Sequence, residues 1–261
     1  MSKVPAYGML FVVFVLWAAL SYFEIIPKYM LPSPVQVIKA FFADRSILLE
    51  HTLVSLGEAF LGLSIGIIFA FFSAVLMDHS KSLYSMLYPI FVITQTIPTI
   101  AIAPLLVLWM GYGITPKIFL IFLVCFFPVT VALLDGFKSV DDDAIKLLQS
   151  MGANKGQILY HIKLPFALPN FFAGLKVSVS YSVIGAVIAE WLGGDKGLGV
   201  YMTRVRKSYA FDKMFAVIFL VSIISLALMS LVAYLEKKAT PWRTTKSDEG
   251  EKQTNAQSKF I

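Results

Sequence analysis

Apolar and polar positions are not interspersed along this chain; they fall into long blocks. Six apolar blocks, at 8–24, 53–77, 84–110, 117–136, 172–192 and 214–235, come close to or exceed the roughly 20 residues a helix needs to cross a bilayer. The pattern predicts an all-α integral membrane protein with six transmembrane helices. The first block could be read as a signal peptide. Only Lys3 is charged ahead of it, however, and YFEIIPKYMLP behind it lacks a small-x-small cleavage site, so it is read as a retained span. The third carries Pro89, Pro98 and Pro104, each lacking a backbone donor, which predicts a kinked or interrupted helix.

The connecting stretches have their own patterns. Within 29–45, Ser33 can cap a helix that starts at Pro34 and places Val35, Ile38 and Phe42 on one face, an amphipathic helix along the outer surface. Inside block two, Gly62, Gly66, Ala70 and Ala74 recur every fourth residue and line one helical face with small side chains; packing within one bundle is the expected use, ahead of a seam between copies. Blocks four and five are joined by a polar stretch, FKSVDDDAIKLLQSMGANKGQILYHIKLPFALPN. Asp141–Asp143 can cap a first short helix with Ile145, Leu148 and Met151 on its apolar side, Gly152 can end it, and 157–162 can form a second turn or two before Pro165. Such a loop, 137–170, resembles a lever more than a pore lining. Residues 1–240 are thus read as one transmembrane domain carrying this loop, and 241–261 as a flexible polar tail.

Composition agrees: 58% of the 261 residues are apolar and 15% charged, with mean hydropathy +0.77. The net charge of +6 is the usual signature of Lys and Arg at cytoplasmic loops and anionic headgroups, so no nucleic-acid partner is inferred. Lys237, Lys238, Arg243 and Lys246 follow the last block and, with Lys3, favour cytoplasmic termini. Lys196, Arg204, Arg206, Lys207 and Lys213 then fall in an external segment, against that bias. The single cysteine, Cys125, excludes an intrachain disulfide and reads as a small apolar filler.

GANKGQILYHIKLPFALP resembles the cytoplasmic loop of binding-protein-dependent ABC importer permeases, whose motif runs Glu-Ala-Ala, three residues, Gly, nine residues, Ile-x-Leu-Pro. Gly152 takes the glycine position, and Ile162, Leu164 and Pro165 the terminal one. The triplet aligns with Lys146, Leu147 and Leu148, a departure that leaves Asp143, or an acid on the partner, to replace the family's glutamate. LPSPVQVIKAF, YPIFVITQTIPTIAIAPLLVLWMGYG, FPVTVALLDGF and VIAEWLGGDKGLGVYMTRVRKSYAFD extend the likeness over 28–235 and resemble the nitrate, taurine and aliphatic sulfonate branch, above all its thiamin-pyrimidine-precursor members. The resemblance implies a non-catalytic subunit of the bacterial cytoplasmic (inner) membrane, paired with a second permease copy, a cytoplasmic ABC ATPase dimer and an extracytoplasmic solute-binding protein. It further implies that Asp143, Ile145, Lys146, Leu148, Gly152, Ala153, Ile158, Ile162, Leu164 and Pro165 form the coupling contact. No GxxxxGK[ST] occurs in the chain, so ATP and Mg belong on the partner ATPase and this chain is expected to hold no cofactor. A secondary transporter or channel is the competing class and would need relay carboxylates or a continuous polar lining.

Candidates for a solute path are the polar or aromatic groups in and near the spans: Thr94, Gln95 and Thr96 beside a proline break, with Trp109, Tyr181 and Glu190. Gln95 suits either path lining or a helix–helix hydrogen bond. Glu190 suits a gate, an ion pair with Arg204 or Arg206, or cargo contact. Glu58 is read as structural. A neutral heteroaromatic suits stacking on Trp109 or Tyr181 better than an anion suits spans almost without interior Lys or Arg. His51, His79 and His161 lie in separate segments, so no metal site is expected.

Overall fold

The apolar blocks fold as helices in a computed structural model that describes residues 4–23, 26–27 and 30–242. The expected tail lies outside the described residues from 243 onward, as do Lys3, Arg243 and Lys246. The helices are α1 (Val4–Tyr22), α2 (Pro34–Ala43), α3 (Arg45–His79), α4 (Lys81–Thr96), α5 (Thr99–Met110), α6 (Ile114–Lys138), α7 (Asp142–Ser150), α8 (Lys155–Ile158), α9 (Leu164–Glu190), α10 (Leu198–Lys207) and α11 (Phe211–Ala239).

Four of the helical stretches are long and apolar enough to cross a membrane: α3, α6, the continuous α8–α9 and α11. The fifth is α4 and α5 taken together, two helices bent by 100° about Ile97 and Pro98. This is the interruption that the prolines predict. In α1 the described apolar stretch, Phe11–Tyr22, is shorter than a full span.

At the centre stands α6, packed between α3 and α9. Small residues bring these helices together. A side chain at Gly62 would meet Ile121 Cβ at 2.6 Å, one at Gly136 would meet Ala167 at 2.7 Å, and one at Gly174 would meet Ala132 at 2.6 Å. The stripe of Gly62, Gly66, Ala70 and Ala74 is therefore spent inside the bundle, against α6. Cys125 is buried there as well, its thiol on the Ser178 carbonyl at 3.3 Å while the Ser178 hydroxyl donates to the Cys125 carbonyl at 2.9 Å. Deep in the membrane such reciprocal bonds close polar groups that would otherwise be costly.

The amphipathic helix α2 has the predicted Ser33 cap, completed by Gln36 as a capping box. It turns Pro34, Val37 and Ala40 to the bundle, against α11, and leaves Val35, Ile38 and Phe42 facing outward. Its surface placement follows.

Candidate functional site

The bundle has two polar ends. One gathers the start of α3, the end of α9, α10 and the start of α11; the other gathers the α3–α4 turn, the end of α6, α7 and α8. The sequence-derived coupling residues all lie at the second.

Asp141 caps α7, its carboxylate accepting from the Asp143 N–H at 3.0 Å, and Asp142 and Asp143 occupy the first turn, where the helix dipole favours negative charge. The helix stops at Gly152, whose φ of +86° is a left-handed conformation suited to glycine. Its N–H donates to the Gln149 carbonyl at 3.0 Å, and that of Ala153 to the Leu148 carbonyl, also at 3.0 Å. Nothing approaches within 4 Å of where a Gly152 side chain would stand, so the glycine is there for conformation and not for space. Asn154 then opens α8 with a second capping box, shared with Gln157.

From here the structure departs from the sequence reading. The second helix does not end before Pro165. It runs through a π-helical segment, Leu159–Lys163, directly into α9, and Pro165 sits in that helix's first turn. Proline has no N–H and its ring would clash with a carbonyl four residues back; the wider π turn, in which the Leu164 N–H reaches the Leu159 carbonyl, relieves both. Ile162, Leu164 and Pro165 are thus part of one helix that carries the loop into the membrane.

Which faces are presented also differs. Ile158 is 4% exposed and packs inside the chain, and Ile145 and Leu148 are half-buried. The apolar groups turned outward are Leu147 at 62% and Met151 at 75% exposure. Met151, expected on the apolar side with Ile145 and Leu148, is turned outward instead, together with Leu147. Lys146 pairs with Asp143 at 3.1 Å on the exposed surface. The loop is tied to the bundle by Lys163, which donates to both Asp78 oxygens at 2.7 and 2.9 Å.

Of the path candidates, Thr94, Gln95 and Thr96 are exposed at the α4–α5 corner, the two threonine hydroxyls donating back to the Phe91 and Ile93 carbonyls at 2.7 and 2.8 Å. Trp109 is 73% exposed and Tyr181 is exposed on α9. Helix α4 fully buries no residue, although Tyr84, Leu87, Tyr88 and Phe91 pack against the core, and α5 buries Ala103 and Leu106.

Glu190 is 1% exposed and does not form the ion pair expected with Arg204 or Arg206. Its carboxylate accepts from the Ser55 hydroxyl at 2.6 Å and from the Gly199 N–H at 2.6 Å in the first turn of α10. Ser55 in turn accepts from the Leu198 N–H at 2.8 Å, and the Gly197 N–H donates to His51 Nδ1 at 2.8 Å. Arg204 instead donates to the Asp195 carbonyl at 2.7 Å. Three orphan donors at the start of α10 are thereby satisfied by one buried cluster. Gly197, at φ +127°, passes so close to the Glu190 carboxylate that any side chain would overlap it. Beneath lies a buried ion pair, Lys117 to Glu58 at 2.7 Å, in which Glu58 Oε2 has no hydrogen-bond partner.

At the rim of this end, the Tyr201 hydroxyl donates to Asp44 at 2.5 Å and Lys213 pairs with the same carboxylate at 2.6 Å. Burial and the Asp44 charge raise the Tyr201 hydroxyl well above the usual phenol range. Burial pushes the Asp44 carboxyl up as well, but the bonds from Lys213 and Tyr201 outweigh it and hold Asp44 below the usual carboxylate range.

Residues 62–241 match the family described as the inner membrane component of binding-protein-dependent transport systems. The chain is 36% identical over 216 residues to the formylaminopyrimidine transport permease protein ThiX of Halalkalibacterium halodurans, covering 82% of this chain and 86% of the relative. It is 32% identical over 243 residues to the taurine transport system permease protein TauC of Escherichia coli, covering 90% and 88%. In fold it is similar to a chain of the inward-facing MetNI methionine ABC transporter, with a TM-score of 0.68 at 18% identity over 75% of this chain and 97% of that one.

Proposed function

Since the chain belongs to the family of inner membrane components of binding-protein-dependent transport systems, we propose that it forms half of the membrane path of an ATP-driven importer for a thiamin pyrimidine precursor. It is a multi-pass, non-catalytic permease of the inner membrane, and hydrolysis resides on a separate ATPase subunit. The observation that carries the mechanism is the α7–α8 unit: exposed on its outer side, pinned by Asp78–Lys163, and continuous with α9. Closure of an ATPase dimer against Leu147, Met151 and the Lys146–Asp143 pair would tilt α9 without an intervening joint. In this reading the loop end and both termini are cytoplasmic, α1 completes six spans, and a second copy supplies the other wall of the path. ATP and Mg stay on the ATPase, and a solute-binding protein delivers cargo to the opposite end.

For cargo, the ThiX relative agrees with the chemistry of the corner. Exposed Gln95 and Trp109 offer an amide and an indole face to a flat heterocycle. Two lysines do lie within the spans, but Lys117 is neutralised by Glu58 and Lys176 by Glu236, so neither is left for an anionic cargo. The taurine relative keeps a sulfonate as the second reading. The test is reconstitution of the chain with its ATPase and binding protein in vesicles. Formylaminopyrimidine should stimulate hydrolysis and accumulate inside only with ATP present; stimulation by taurine instead moves the assignment to the second reading, and uptake without ATP ends the importer reading.

A further inference from the structure

Under α7 a cavity of about 520 Å³ opens between the α3–α4 turn, the end of α6 and the loop. Its charged lining is Lys81, Lys138 and Lys163 against Asp78 and Asp142. Lys163 and Asp78 neutralise each other at 2.7 Å. This leaves two lysines facing one carboxylate, a surplus of one positive charge. Lys138 has no carboxylate partner; its ammonium donates to the Tyr84 hydroxyl at 2.8 Å and stands 4.1 Å above the ring. Lys81, at the first position of α4, is exposed.

The setting identifies the missing anion. Below the lysines, α4 presents Leu83, Met86 and Ile90 outward at helical spacing, an apolar stripe largely uncovered by the rest of the chain. A cationic recess above an apolar stripe fits an amphiphile with one negative charge at its head and acyl chains below. A free inorganic ion has no use for the stripe. We propose that this cavity binds the headgroup of an anionic phospholipid, with Lys81 and Lys138 on the phosphodiester and the acyl chains along α4. The proposal rests on reading the loop end as cytoplasmic. The lipid would wedge between α4 and α7, so membrane charge would bear on the coupling loop.

The test uses the assembled transporter in nanodiscs of phosphatidylcholine with and without about one-fifth phosphatidylglycerol, followed by native mass spectrometry. Wild type should retain phosphatidylglycerol through gentle activation. Lys81→Gln/Lys138→Gln should lose it by about thirtyfold, the effect of two lysines at a membrane surface, while phosphatidylcholine retention stays unchanged. Lys81→Gln alone, which breaks no hydrogen bond described above, should give roughly the square root of that loss. Equal phosphatidylglycerol retention in wild type and double variant overturns the site. Displacement of the lipid by millimolar inorganic phosphate overturns the lipid assignment in favour of a free-ion site. Because lipid retention is read without cargo or ATP, failure here is separate from failure of the importer reading.

Discussion

The two ends of the bundle look alike in sequence, each a polar stretch between apolar blocks, yet they are built on opposite principles. Helix α10 buries six of its ten residues and has its first turn satisfied by side chains from α3 and α9. Helix α7 buries none of its nine and caps itself with its own Asp141. One end is fastened by long-range partners; the other is stabilised locally and presents its surface. Local capping with a left-handed glycine stop lets α7 hold its shape on its own, which is what the proposed coupling to an ATPase would require.

The largest effect should come from the fastened end. Lys117→Met leaves the Glu58 carboxylate buried and unpaired, at a cost of about 3–5 kcal/mol, and should collapse the yield of folded protein and its melting temperature. Adding Glu58→Leu should recover most of the loss, because an apolar pair removes both desolvation penalties. If the double variant is as unstable as the single one, the pair is not what stabilises this end. At the presenting end, Gly152→Val forces a β-branched residue to positive φ and should cost about 1–2 kcal/mol per strained residue, confined to the loop. Chemical shifts or hydrogen exchange should show the spans intact while ATPase binding and coupled uptake fall; an equal loss of span protection would merge the two ends into one folding unit. Lys146→Glu should have the smallest effect on stability, within about 1 kcal/mol for an exposed pair. It should nonetheless weaken substrate-stimulated hydrolysis, and a charge reversal on the ATPase surface should restore it. Unchanged coupling would remove Lys146 from the contact.

Much of this was legible beforehand where local rules decide. The Ser33 and Asp141 caps, the Gly152 stop and the proline break in block three all follow from residues within a few positions of one another. What the sequence concealed is long-range. The expectation of a Glu190 ion pair with Arg204 or Arg206 fails because nothing nearby reveals Ser55, 135 residues away, or the open first turn of α10. A signal did exist. His51, Ser55 and Glu58 continue the face of Gly62, Gly66, Ala70 and Ala74, and all seven are buried on α3. Polar residues that extend a small-residue packing stripe mark a polar interface between helices. Pro165 misled for a different reason: proline ends an α-helix by rule, but a π turn absorbs it, and periodicity alone does not distinguish the two.

The absence of a joint between α8 and α9 sets a length scale for the whole molecule. Lys155–Glu190 is a single 36-residue helical run, about 54 Å from end to end at 1.5 Å per residue, with the loop at one tip and the Glu190 cluster at the other. Treated as a stiff rod pivoting at its middle, a tilt of about 5° swings each tip through roughly 2.4 Å, nearly the span of a hydrogen bond. Glu190 meets Ser55 and Gly199 at 2.6 Å each, leaving little slack before those bonds stretch or carry α3 and α10 along. Under the proposed function, a nudge at the loop would be read at the opposite end as a change in which backbone groups are held.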